Sequence, residues 1–127
     1  MTEFLIIGSF YDPKDVYSET FNKIKKGLFV GTINVDFVTK QKDGNPFSGQ
    51  IEDSYGSAMI KGTISDTGMS FSKKYLDGIF GKTDHEVKYD FLSKNFGRFP
   101  CGYTGKWITN DEIPMKGEAK CSLHEII

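Results

Sequence analysis

Residues 47–75, FSGQIEDSYGSAMIKGTISDTGMSFSKKY, constrain the fold of this chain more than any other stretch. Three short segments, 47–53, 57–65 and 69–75, alternate apolar and polar residues. They are separated by Ser54-Tyr55-Gly56 and Asp66-Thr67-Gly68. Period-two alternation turns one side of each segment toward a core. A glycine closing each short connector suits the positive φ of a tight hairpin. The stretch therefore reads as a β-meander. Its inward faces are Phe47, Gly49, Ile51 and Asp53, then Ala58, Ile60, Gly62 and Ile64, then Met69, Phe71, Lys73 and Tyr75. Asp53 and Lys73 thus fall on apolar faces, near strand ends.

The rest of the chain extends the pattern. Residues 4–11 read as a first strand with apolar side chains on both faces, as if covered on two sides. Residues 12–27 are the one helical candidate. Asp12 suits an N-cap and Pro13 a first helical position, while Tyr17, Phe21, Ile24 and Leu28 form one stripe. Lys25 and Lys26 fall in the last turn and Gly27 at C′, so a helix over 13–26 is expected to close one end of the fold. Residues 28–40 read as a long strand with Phe29, Ile33, Val35 and Phe37 inward and a bulge or bend near Gly31. Further strands are expected over 84–92, 99–108 and 117–123. The inward faces there are Val87, Tyr89 and Phe91, then Phe99, Cys101, Tyr103, Gly105 and Trp107, then Ala119, Cys121 and Leu123.

About eight strands with short connections imply antiparallel neighbours. In a single domain of 127 residues they must close or form a sandwich to avoid long exposed edges. Glycines inside strands, at Gly49, Gly62 and Gly105, favour a strongly bent, closed barrel. The expected fold is all-β: one antiparallel meander β-barrel of about eight strands, with one helix near the N-terminus.

Composition narrows the function classes. Sixteen Lys plus Arg against seventeen Asp plus Glu leave a formal charge of −1, and Arg98 is the only arginine. Neither a basic footprint nor the Arg forks of base and phosphate recognition are present, so nucleic acid is not an expected partner. The N-terminal apolar run is four residues, too short for a signal peptide or a membrane span. The two cysteines, without a leader, point to thiols in a reducing, cytoplasmic setting.

In order along the chain stand Phe47-x-Gly-x-Ile-x-Asp, Ala58-x-Ile-x-Gly-x-Ile, Phe71-x-Lys-x-Tyr, Tyr103-x-Gly-x-Trp107 and Gly117-x-Ala. The series resembles the calycin group, the lipocalin-like and avidin-like antiparallel barrels, whose strands repeat glycine and aromatic residues. The resemblance spans residues 47–123. It implies a closed barrel and no particular ligand.

Asp53, Lys73, Tyr75, Tyr89, Tyr103 and Trp107 are the polar or amphipathic residues on inward faces. In a closed barrel they are the candidates to line one ligand cavity. A buried carboxylate and ammonium need partners. Asp53 and Lys73 either sit at strand ends in solvent, or pair with each other and brace the barrel, or form a site in which Lys73 meets a ligand carboxylate and Asp53 a ligand donor. Trp107 is either a core plug or a stacking platform. Cys101 and Cys121 are expected inward on adjacent strands, as neighbours across the sheet. His85 and His124 read as polar-face residues.

No pair has C-x-x-C or H-x-x-H spacing, no serine sits in a Gly-x-Ser-x-Gly elbow, and Gly49–Gly56 is followed by no helix. No catalytic residue, metal or cofactor is therefore assigned. The reading is a binding module holding a small, partly apolar ligand or a peptide end. The alternatives are a filled barrel that acts by contact with other proteins and an enzyme of unrecognised type.

Overall fold

The computed structural model describes residues 2–11, 26–38, 44–78, 84–93 and 99–126. Alternation sets the eight strands: β1 (Thr2–Tyr11), β2 (Lys26–Val35), β3 (Asn45–Asp53), β4 (Gly56–Ile64), β5 (Gly68–Tyr75), β6 (Glu86–Ser93), β7 (Cys101–Thr109) and β8 (Lys116–Glu125). Each pairs antiparallel with its sequence neighbours, and β1 pairs with β8, closing the sheet. At the closure Ile6 lies opposite Leu123 and Gly8 opposite Cys121. Closure leaves the described strands no unpaired edge, which is how a meander of this length avoids offering its backbone to another chain.

The expected helix is corrected. Among the described residues there is no helix. Lys26 and Gly27, assigned to a last helical turn and its cap, open β2 instead and pair with Tyr11 and Phe10. Cross-strand pairing therefore overrides the local capping pattern there. The remainder of the helical candidate, 12–25, lies outside the described residues. So does the connector centred on 39–43.

β2 ends at Val35, short of the expected 40. Asp36 closes the strand by donating its N–H to the Pro46 carbonyl at 3.0 Å, and its side chain accepts the Val38 N–H at 3.0 Å. Phe37, expected inward, is 44% exposed. The register from Val30 to Val35 runs without a break against both β1 and β3, so no bulge sits at Gly31. The expectation of two-sided cover for β1 is also corrected. Phe4 and Ile6 are buried, whereas Ile7 on the opposite face is 43% exposed.

The interior is a column of aromatic and branched side chains. Phe71 stacks on Tyr89 at 4.9 Å between centroids and Tyr89 on Phe91 at 5.8 Å, while Phe29 and Phe47 meet this stack edge-on. Offset stacks and T-shaped contacts are the favourable aromatic geometries. Inward glycines let neighbouring backbones press close where the strands coil. A Cβ at Gly105 would run into the Asp90 carbonyl, and one at Gly62 into the Ser70 carbonyl. The outer faces carry exposed Lys61, Lys74, Lys88, Asp90 and Lys106.

Candidate functional site

One end of the barrel gathers the end of β1, the β3–β4 hairpin, the ends of β5 and β7 and the starts of β6 and β8. Alternation along β5 sends Met69, Phe71, Lys73 and Tyr75 inward, so the ammonium of Lys73 arrives inside the barrel near this end. Lys73 is 2% exposed and the Asp53 side chain is fully buried.

Asp53 stands at the last position of β3. Its Oδ1 accepts the Tyr55 N–H at 2.8 Å, an Asx turn that shapes the hairpin and leaves Gly56 at φ 133°. Its Oδ2 accepts two further donors, Lys73 Nζ at 3.0 Å and the Tyr75 hydroxyl at 2.5 Å. Lys73 Nζ also donates to the Tyr89 hydroxyl at 3.0 Å. The same ammonium faces three rings, Tyr75 at 4.8 Å, Phe10 at 4.9 Å and Tyr89 at 5.2 Å from their centroids. The arrangement is a carboxylate, an ammonium and two phenols inside an aromatic cage, with ring faces adding cation–π attraction.

Burial pushes the Lys73 pKa below the ordinary lysine value, and the adjacent Asp53 charge and hydrogen bond work against that. Burial also pushes the phenol of Tyr75 far above its ordinary value, helped by its hydrogen bond to Asp53 and that carboxylate's charge. Tyr89 moves the same way, through burial first and then the Asp53 charge. Both phenols are therefore neutral donors over the whole physiological range.

The six residues expected to line a cavity divide into two places. Asp53, Lys73, Tyr75 and Tyr89 form one bonded cluster. Trp107 lies at the same end but only half-buried, edge-on to Phe10 with centroids 6.3 Å apart. Its Nε1 is shared between the Tyr11 carbonyl at 3.2 Å and the Glu118 carbonyl at 3.1 Å, so the indole staples β7 to β1 and β8. At this seam the Tyr11 hydroxyl donates to Glu118 Oε2.

Tyr103 is inward, but it lies edge-on to Phe91 and beside the cysteines. Among the described residues its buried hydroxyl makes no hydrogen bond of ordinary geometry. Burial, then neighbouring Cys101 and Cys121, push this phenol up. Cys101 lies opposite Leu123 and Cys121 opposite Tyr103, so the expected neighbours across the sheet are diagonal and not face to face. Both are buried thiols, and Cys121 is pushed well above the ordinary thiol value by burial and then by Cys101.

Three residues escaped the sequence reading of the site. Phe10 completes the cage; it shares the inward face of β1 with Phe4 and Ile6, which was the available signal. Tyr55, 48% exposed on the hairpin, packs edge-on against Tyr75 at 6.4 Å. His85, read as a polar-face residue, is 6% exposed, with Nε2 3.2 Å from Asp111 Oδ2. Asn110 holds that corner by accepting the Glu86 N–H at 3.0 Å and donating to the Asp84 carbonyl at 3.1 Å.

Among the described residues no three His, Cys, Asp or Glu side chains converge as metal ligands, and no helix is long and apolar enough to cross a membrane. Comparison with protein-family models, with curated proteins and with solved structures returned no match.

Proposed function

We propose that this protein is a binding module that takes the acidic end of a small, partly apolar molecule, or the carboxylate end of a peptide, where Asp53, Lys73, Tyr75 and Tyr89 meet. The observation that carries this reading is the charged pair set dry inside an otherwise apolar barrel. A buried ion pair is rarely better for stability than apolar groups of the same volume. Stability alone therefore gives little reason for the cluster.

A ligand carboxylate would take the place of Asp53 beside Lys73, with the two neutral phenols as further donors. Phe10 and Trp107 would offer the apolar part of the ligand a surface. Entry would move Tyr55, the exposed member of the hairpin pair. The closed eight-strand meander is compatible with the calycin-like resemblance, and two buried thiols fit a reducing, cytoplasmic setting.

The test is thermal melting with and without fatty acids, aromatic acids and short peptides, following Trp107 emission. A ligand that binds only the folded state raises the melting temperature. A carboxylate-bearing class that raises it and shifts Trp107 emission supports the reading. No shift from any class overturns it.

A second reading, a contact module acting through its surface, is favoured by an open groove of about 570 Å³ across the outside of β4 to β7. Thr63, Ser70, Asp90, Leu92, Thr104 and Lys106 are among its lining residues. In that case partner binding survives substitution of Lys73 and fails on substitution of Leu92, which is 71% exposed.

A further inference from the structure

We infer that Lys73 is a covalent capture site for a small apolar aldehyde, which it holds as an iminium with Asp53 as counter-ion. The inference rests on the ligand-site reading above and adds a reaction to it. A lysine that forms a Schiff base needs a neutral amine for the attack, a group to move protons, and surroundings that tolerate the cation produced. The three requirements meet at one atom.

Lys73 Nζ is cut off from solvent, with the residue 2% exposed, so little water stands by to reverse the condensation. Asp53 Oδ2 at 3.0 Å is the proton acceptor, and Tyr89 Oη at 3.0 Å is a neutral hydroxyl within reach of an oxygen bonded to the same centre. The Tyr75 hydroxyl, 2.5 Å from Asp53 Oδ2, keeps that carboxylate oriented. The rings of Phe10, Tyr75 and Tyr89 face Nζ and would stabilise an iminium as they do an ammonium. Burial lowers the Lys73 pKa, which favours the neutral amine.

The steps balance. The ammonium passes one proton to Asp53. The Nζ lone pair forms the C–N bond to the aldehyde carbon as the carbonyl π pair moves onto oxygen, and that oxygen takes the proton from Asp53. Nζ then gives a second proton to Asp53, which delivers it to the carbinolamine hydroxyl. The C–O bond breaks, water leaves, and the C=N double bond forms. Ammonium plus aldehyde becomes iminium plus water. The cation keeps its charge, so its pairing with Asp53 is retained. No oxidant or reductant is needed.

The experiment uses the intact protein with octanal and sodium cyanoborohydride at neutral pH, followed by peptide mapping for octylated lysines. The exposed Lys61, Lys74, Lys88, Lys106, Lys116 and Lys120 serve as internal comparators. Lys73 is expected to be the dominant labelled site in the folded protein and to lose that preference in denaturing urea. Label on the exposed lysines with Lys73 unmodified overturns the inference. Octanoic acid, which carries a carboxylate in place of the aldehyde, separates the two proposals. A melting temperature raised by octanoic acid with no octanal adduct at Lys73 overturns covalent capture and leaves the ligand site standing. No stabilisation by either compound and no adduct overturns both.

Discussion

Lys73 and Asp53, twenty residues apart on β5 and β3, meet inside the barrel with Nζ 3.0 Å from Oδ2, and neither side chain is more than 2% exposed. The strand between them, β4, makes this possible. Ile60 pairs with Lys73 on one side and with Gly49 on the other, and Ala58 pairs with Tyr75 and Ile51.

Removing either charge leaves the other buried without its partner. Asp53→Asn preserves an oxygen for the Tyr55 N–H but sets an amide nitrogen where Oδ2 accepts from Lys73 Nζ and the Tyr75 hydroxyl, so the charge and those hydrogen bonds are lost together. It is expected to destabilise the fold by about 3–5 kcal/mol, the cost of breaking a buried pair. The double substitution Asp53→Asn with Lys73→Met should cost less than the sum of the two singles. Urea denaturation of the four proteins in a double-mutant cycle checks this. Additive losses would show that the pair is not coupled.

Tyr103→Phe removes a buried hydroxyl that has no hydrogen bond of ordinary geometry among the described residues. The variant is expected to be more stable by about 1 kcal/mol, the lower end of the cost of an unsatisfied buried group. The melting temperature reads it. A decrease would mean that the hydroxyl has a bonded partner in solution.

The pH profile follows from the raised and lowered groups. Tyr75, Tyr89 and Tyr103 have folded pKa values above the unfolded value of 10.0. Their contribution is fully present below pH 10 and is lost as pH rises beyond it, because only the unfolded chain then releases the protons. Cys121 acts likewise above the ordinary thiol value of 9.0. Lys73 has the opposite sign. Its folded value lies below the unfolded 10.5, so its burial penalty is relieved as pH climbs from the folded value toward 10.5. The four acids outnumber the one base, so stability should fall steeply in strong alkali. Each titrating group adds about 1.4 kcal/mol per pH unit to the slope within its window. Tyr103→Phe should flatten that slope by one group, which melting curves from pH 8 to 12 would measure.

Gly105→Ala places a methyl group against the Asp90 carbonyl, and Gly62→Ala one against the Ser70 carbonyl. Each should cost about 1–3 kcal/mol, as overpacking does where backbone must move. Gly102→Ala is the control, since a Cβ there meets nothing within 4 Å. Equal losses in all three would place the effect outside the strand contact.

The barrel was legible because alternation is a local property of the chain. Tyr89, Phe91, Ala119 and Leu123 all occupy the faces that period two assigns them. The hairpin glycine Gly56 marked a real turn, and Gly49, Gly62 and Gly105 marked real close approaches. The pairing of Asp53 with Lys73 was one of three alternatives, raised because each was an expensive charge on an apolar face; exposure at the strand ends was another, and the buried pair overturns it. Less legible were features set by register and barrel closure. The role of Phe10 in the cage depends on β1 and β5 facing each other across the lumen. That of Trp107 depends on the seam with Tyr11 and Glu118. Lys26 and Gly27 carried a helix-ending pattern but pair with Tyr11 and Phe10, contacts that a reading of neighbouring residues does not contain.

The most direct measurement is amide and side-chain NMR of the labelled protein during titration with decanoic acid. The account predicts shift changes concentrated at Phe10, Asp53, Tyr55, Lys73, Tyr75, Tyr89 and Trp107, with the Lys73 ammonium signal moving as its carboxylate partner is exchanged. Changes confined to the outer groove at Thr63, Leu92 and Thr104, or an unchanged spectrum across this and the other acids of the melting panel, would contradict it.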